Sequence, residues 1–285
     1  MDPTAVYTLG FVAGLAVLLL VLLEVALRFL SRKPSPAQNV GERNPARALV
    51  HAGDVVATLL IAASVARCTA RGESFRSDAI HAVILGVSAE LLFLLSSRAQ
   101  VRFLLSGRLH GELDRGNVAV GIAAGSHSLA TGVLAANAIN ADDLRSLGIS
   151  FVFFALAQAT VLLLVMLFRW LTSYDDVEEV LGENAAAAVS YAGITVSVAL
   201  LVSRAVEGDF TTWGESLPAY ALVVGYAPLL YVVRQFVVGS VLLGVRPTLR
   251  GGVLDRAIGR ERNVGLAALE AAAYLGTALL VLRMP

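Results

Sequence analysis

Seven polar side chains lie inside long apolar runs, and their types define the chemistry open to this chain: Asp54, Glu90, His127, Gln158, Arg234, Glu270 and His51. An ionisable group at the centre of a bilayer costs about 3 kcal/mol or more, so it is kept where it pairs, hydrates or serves a pathway. Carboxylates and histidines so placed suit a proton relay or a path for small cations. The same groups can instead be interhelical hydrogen bonds that hold a bundle together. Arg234 is the one deep cation this reading sets against Asp54, Glu90 and Glu270. One guanidinium cannot neutralise three carboxylates, so some must carry a proton, be hydrated or hold a cation. His51 and Asp54, three residues apart, would give a metal two ligands and no third, which is too few to define a site.

Four copies of one unit position these residues. Each copy is a long apolar helix with an Arg near its end, followed by an Asn that opens the next apolar helix. The Arg copies are Leu27-Arg28-Phe29-Leu30, Val101-Arg102-Phe103-Leu104, Phe168-Arg169-Trp170-Leu171 and, more loosely, Val245-Arg246-Pro247. The Asn residues are Asn44, Asn117, Asn184 and Asn263, spaced 16, 15, 15 and 17 residues after the Arg. Fixed order at nearly fixed spacing marks a repeat architecture. Asp54 and His127 lie ten residues beyond their Asn, about 15 Å deep at the helical rise. His51, Tyr191 and Glu270 lie at seven, and Thr58, Thr131 and Thr277 at fourteen, all on one helix face. On the preceding helices, Glu90 and Arg234 lie twelve before the Arg and Gln158 eleven, while the first copy has Ala16 there.

Asn is a favoured N-cap, and Pro45 after Asn44 is a favoured first helical residue. The four N-caps Asn44, Asn117, Asn184 and Asn263 are therefore expected together at the cytoplasmic interface. They either close ordinary helix ends or expose amides that would form an anion or headgroup site. Each Arg, with Phe29, Phe103 or Trp170 beside it, fits a snorkelling interfacial anchor. Glu24, four residues before Arg28, is the expected partner of that arginine.

Apolar runs of spanning length occupy residues 5–30, 48–66, 79–105, 118–139, 149–171, 185–206, 218–245 and 264–282. The fold class is all-α: a polytopic integral membrane protein with eight transmembrane helices arranged as four parallel helical hairpins. Two hairpins make a four-helix unit, so the domains are expected at 1–141 and 142–285, with the seam at Asn140-Ala141-Asp142-Asp143. Fifteen Lys and Arg residues flank the loops after the odd helices, and six flank the others. That bias places the odd loops in the cytoplasm and both termini outside. The acidic stretch Asp175, Asp176, Glu178, Glu179 and Glu183 dissents, but acidic residues weigh little in the rule.

The chain is 57% hydrophobic and 15% charged with no net charge, which suits a membrane protein and gives no sign of nucleic-acid binding. Cys68 is its one cysteine, so neither an internal disulfide nor a thiolate metal cage can form. One lysine among many arginines, with heavy Ala and Val use, suggests a bacterial genome rich in GC. There is no phosphate loop, no His-Glu-x-x-His and no Gly-x-Ser-x-Gly, and Ser126 and His127, being adjacent on a helix, point apart. The expectation is a protein that is not an enzyme and uses no metal or cofactor.

The run of small residues after the Asn carries a resemblance. Asn184-Ala185-Ala186-Ala187-Ala188-Val189-Ser190-Tyr191-Ala192-Gly193 and Asn117-Val118-Ala119-Val120-Gly121-Ile122-Ala123-Ala124-Gly125 resemble a bacterial family of unknown function, number 350, of the YjfL type. Its members look like four-helix inner-membrane proteins, so this chain resembles two such units fused. Copy four departs, reading Asn263-Val264-Gly265-Leu266. The resemblance implies a setting beside membrane-stress coat proteins and ATP-grasp ligases, but no activity. Two functions stay open: permeation or proton-coupled transport using the deep polar residues, or a membrane scaffold or stress component. The second would use basic loops to recruit anionic lipid or a cytoplasmic membrane-stress partner, and a homo-oligomer is open in either case.

Overall fold

The computed structural model describes residues 3–31, 44–70, 74–105, 108–139, 144–207 and 210–284. The expected seam at 140–143, the basic residues Arg32, Lys33, Arg43 and Arg71, and Pro285 lie outside the described residues. Among the described residues there are eight helices long and apolar enough to cross a membrane, and no strands. The protein is a multi-pass membrane protein.

The helices run α1 Pro3–Ser31, α2 Pro45–Thr69, α3 Phe75–Leu105, α4 Leu109–Arg115, α5 Val118–Ala138, α6 Leu144–Trp170, α7 Asp176–Leu181 and α8 Ala185–Val206. They continue with α9 Trp213–Val224, α10 Ala227–Val232, a π-helical segment Val233–Leu242, α11 Val253–Asp255, a second π-helical segment Arg256–Arg260, and α12 Val264–Leu282. The helices opened by Asn, namely α2, α5, α8 and α12, stack side by side in one row. The other spans lie against that row, α3 on α2 and α5, α6 on α5 and α8, and α9 on α8. Burial is 83% for the fourth span and 72% for the sixth, against 17% for the first, so α5 and α8 form the centre of the bundle.

Close backbone approach makes the row. A Cβ added at Gly53 would meet the Gly125 carbonyl oxygen, and one added at Gly193 would lie 2.6 Å from the Ala271 Cα. Both contacts join offset nine of one copy to offset eight of the next. Small residues let helices come this near, and dispersion across the contact replaces the hydrophobic drive that lipid does not supply.

The asparagines lock the row at one end. Each Oδ1 accepts a bond from the amide three residues on: Arg47 at 3.0 Å, Val120 at 3.2 Å, Ala187 at 3.1 Å and Leu266 at 3.0 Å. These are the expected caps. The carboxamide nitrogen does more, because it donates into the next copy. Asn44 reaches the carbonyls of Leu113 and Asp114, Asn117 those of Val180 and Leu181, and Asn184 those of Ile258 and Gly259. Each receiving segment lies just before the following Asn, so all four caps share one end and the hairpins run parallel. The residue before each of the last three caps takes a left-handed conformation: Gly116 at φ 82°, Glu183 at 63° and Arg262 at 53°. Glycine does this freely, whereas the other two store strain of about 1–2 kcal/mol each.

The seventh span corrects the expectation of one continuous helix over 218–245. Pro218 lies inside α9, Gly225 and Tyr226 form a turn, and Pro228 opens α10. Proline has no N–H to continue the ladder, so the span divides there and finishes in π geometry. Copy four also carries an extra residue before its cap: the Asn263 amide bonds back six residues to Ala257, where Asn117 and Asn184 bond back five. The π-helical turn at 256–260 absorbs it.

If the carboxamide clamp joins copies, Asn184→Ala should cost about 2–3 kcal/mol, losing a cap and stranding two buried carbonyls. Asn263→Ala, which loses only a cap, should cost about 1 kcal/mol. Denaturant unfolding of both variants in detergent checks this, and equal losses would remove the clamp from the account.

Candidate functional site

The sequence-selected polar residues are buried in the bundle, except His51, which is half-buried. They fall into three groups strung along the row.

The first group lies between α2 and α3. Asp54 Oδ2 accepts a bond of 2.9 Å from Arg98 Nη2, and Arg98 Nη1 adds a longer one of 3.4 Å to Oδ1. The cation for Asp54 is thus Arg98, which corrects the reading of Arg234 as the one deep cation. Arg98 sits one turn inward of Arg102, so its long stem carries the guanidinium to mid-depth while 35% of the side chain stays exposed. Nearby, Thr58 donates to Glu90 Oε1 at 2.8 Å, and Glu90 Oε2 has no partner among the described residues. His51 turns away from Asp54, and its Nε2 lies 3.4 Å from Glu24 on α1. That contact replaces the expected Glu24–Arg28 pair, since His51 faces Glu24 across the helix contact. It also leaves no two-ligand set at His51 and Asp54.

The middle group joins α3, α5, α6, α7 and α8. His127 Nε2 lies 2.6 Å from the Tyr191 hydroxyl, with the rings edge to face at 5.5 Å. The Arg169 guanidinium stands over the Tyr191 ring at 5.7 Å, and its Nε approaches Asp176 at 3.5 Å. Arg169 is therefore more than a surface anchor. One turn deeper, Gln100 donates to Thr131 at 3.3 Å and to Gln158. Thr131 sits at the same offset as Thr58, so the two copies place a threonine under different polar partners.

The third group is the most charged. Arg234 leaves the π-helical segment, donates through Nε to Glu270 and through Nη2 to Asp255 at 2.5 Å. Ser190 donates to the other Glu270 oxygen at 2.5 Å, Tyr274 adds a bond at 3.4 Å, and Asp255 accepts from the Ser173 amide at 2.6 Å. Arg234 and both carboxylates are at most 2% exposed. Arg234 Nη1 has no partner among the described residues. π-Helical turns recur at functional sites, and broken spans line binding sites in transporters.

Helical spacing alone does not single out Arg98, Gln100, Asp176 or Asp255. One signal for the last two was present: Asp176 and Asp255 each lie eight residues before the Asn of their copy. Burial pushes Asp176 up from the ordinary 3.8 to about 7, with Glu270 adding to the rise and Arg169 opposing it. In the preceding copy, hydrogen bonds from Arg115 and Asn117 hold the half-buried Glu112 carboxyl below its usual range. Among the described residues, no three His, Cys, Asp or Glu side chains converge as metal ligands.

Two measurements test this site. Arg234→Gln leaves two buried carboxylates unpaired and should cost about 3–5 kcal/mol, whereas removing Arg234 and both carboxylates together should cost much less. A single variant that unfolds no more easily than the parent would show the triad to be loose. Because folding raises the Asp176 value, the native state binds the extra proton, so this group makes stability fall as pH rises from about 4 to about 7. Asp176→Asn should flatten that slope in melting curves, and an unchanged slope would assign it elsewhere.

No curated protein and no solved structure matches the chain. A family model matches it twice in tandem, each match covering one four-helix half. The protein belongs to the family described as Domain of Unknown Function (DUF350), as two fused units matched at residues 3–139 and 143–284.

Proposed function

We propose that this protein is a bacterial inner-membrane protein, not an enzyme, that passes protons or small cations along the polar groups of its helix row. The observation that carries this reading is a set of buried polar atoms with no hydrogen-bond partner among the described residues. They include Glu90 Oε2, Gln100 Oε1, Gln158 Nε2, His127 Nδ1 and Arg234 Nη1. In a hydrocarbon surround each such atom costs about 1–3 kcal/mol unless a guest satisfies it. Water satisfies donors and acceptors alike, and a cation satisfies the acceptors among them. Glu90 is the natural exchange point, since it has a threonine for company and no counter-charge. The excess of arginine on the capped side supports placing that end in the cytoplasm and both termini outside.

A second reading rests on a different observation. Arg246, Arg256, Arg260 and Arg262 are all exposed beside the last cap. Such a basic rim suits anionic lipid headgroups or an acidic cytoplasmic partner of the membrane-stress machinery.

Vesicles reconstituted with the full chain and loaded with a pH-sensitive dye separate the two. Under an imposed potential, the wild type should dissipate a proton or small-cation gradient. Glu90→Gln and Asp54→Asn should lower that flux at least tenfold while the helical spectrum stays unchanged. Absence of wild-type flux for any small ion, with tight binding to anionic vesicles, would transfer the assignment to the second reading.

A further inference from the structure

The row of Asn-opened helices follows one docking rule. Counted from each Asn, copy one presents offsets two, five, six, nine and thirteen to copy two: Ala46, Leu49, Val50, Gly53 and Ala57. Copy two answers with offsets four, eight and fifteen: Gly121, Gly125 and Gly132. A Cβ on Gly121 would lie 2.6 Å from the Ala46 Cα, one on Gly125 2.7 Å from the Leu49 oxygen, and one on Gly132 2.6 Å from the Ala57 Cα. Copies three and four repeat the contact where Gly193, at offset nine, meets Ala271, at offset eight.

In α12 the leading face meets no further Asn-opened helix among the described residues. Its residues are Gly265, Ala268, Leu269, Ala272 and Gly276, and every one of them is exposed. A Cβ on Gly276 would meet nothing within 4 Å, and one on Gly265 only its own cap. The clamp is open at the same place. Asn263 caps its helix through Leu266, and its carboxamide nitrogen has no acceptor among the described residues, unlike its three counterparts. At the other end of the row, α2 meets one Asn-opened helix, α5, among the described residues. Its trailing face keeps small residues at offsets four and eight, Ala48 and Ala52, with Leu59 beyond. Faces that meet lipid elsewhere are bulky, as with Val17 and Val21 on α1 or Leu163 and Leu167 on α6. Gly and Ala gain little from lipid but permit close backbone approach.

We infer that the leading face of α12 docks on the trailing face of α2 of a second copy, continuing the interface already built between repeats inside the chain. The contact is heterologous, head to tail, and in the plane of a membrane it closes into a ring or extends as a row. It is independent of whether the protein conducts ions.

Single-cysteine variants of the full chain test it in a Cys68→Ala background. Ala272→Cys and Ala52→Cys, carried on differently tagged copies and co-expressed in one membrane, should form an oxidised heterodimer in high yield. Ala272→Cys paired with itself should form at most a tenth as much. Ala272→Leu with Gly276→Leu should reduce the mass measured in lipid nanodiscs to that of one chain, with the melting point of the monomer unchanged because both positions are exposed. A wild type that is monomeric in nanodiscs at high protein-to-lipid ratio, or an oligomer whose mass ignores the double leucine variant, would overturn the proposal. Predominant linking of residue 272 to itself would overturn it too, since that requires a twofold contact.

Discussion

A helix that begins inside a membrane protein leaves free amides at its start, and a neighbour that ends there leaves free carbonyls. One carboxamide answers both needs in this fold. The oxygen of Asn117 closes α5 on the Val120 amide, and its nitrogen gathers the carbonyls of Val180 and Leu181 from the following copy. Cap formation and repeat docking are thereby a single event at each joint. With that end fixed, the glycines and alanines above it determine how near the helices come, and the polar side chains deeper still are placed by that spacing. The asparagines thus set the frame in which the buried polar groups of neighbouring copies meet.

Within a shared frame, equivalent slots have taken different chemistry. The position about twelve residues before the inner arginine holds Glu90, Gln158 and Arg234 in successive copies. Each meets a group from the Asn-opened row or its neighbour: Glu90 a threonine, Gln158 a glutamine, Arg234 a glutamate. Repetition supplies the scaffold, and divergence at one slot supplies polarity that changes sign along the row. A symmetric array of four identical carboxylates would repel itself, whereas this sequence of acid, amide and guanidinium spreads charge and still leaves unpaired atoms in each section.

Spans, caps and the depth of the polar residues were legible because they depend on short-range rules. A run of apolar residues of spanning length has few alternatives, and an Asn before a small-residue run marks a helix start. Partner choice was not legible. Glu24 lies four residues from Arg28, a pairing that spacing favours, yet it meets His51 because helix packing brings that ring closer. Arg98 reads as an interfacial residue by position, but a flexible stem of four rotatable bonds lets its head group travel far from its own Cα. The break in the seventh span was written in Pro218 and Pro228, while the π geometry after it answers tertiary constraints that no local pattern announces.

The fourth copy shows how an irregularity is used. Its Arg-to-Asn spacing is the longest of the four, and an extra residue just before the cap enters as the π-helical turn at 256–260. A π turn widens the helix and rotates the side chains that follow, so residues placed by the repeat move off the shared face. Arg234 emerges at the start of the first such turn, and Asp255 precedes the second. The two meet at 2.5 Å because both elements depart from the repeat in the same region. The earlier copies contain no counterpart to this triad among the described residues. Irregular backbone in a membrane interior is costly unless other groups re-satisfy it, and here it coincides with the most highly charged cluster of the bundle. A departure from the repeat that assembles buried ion pairs sets this end of the row apart in chemistry from the three earlier copies.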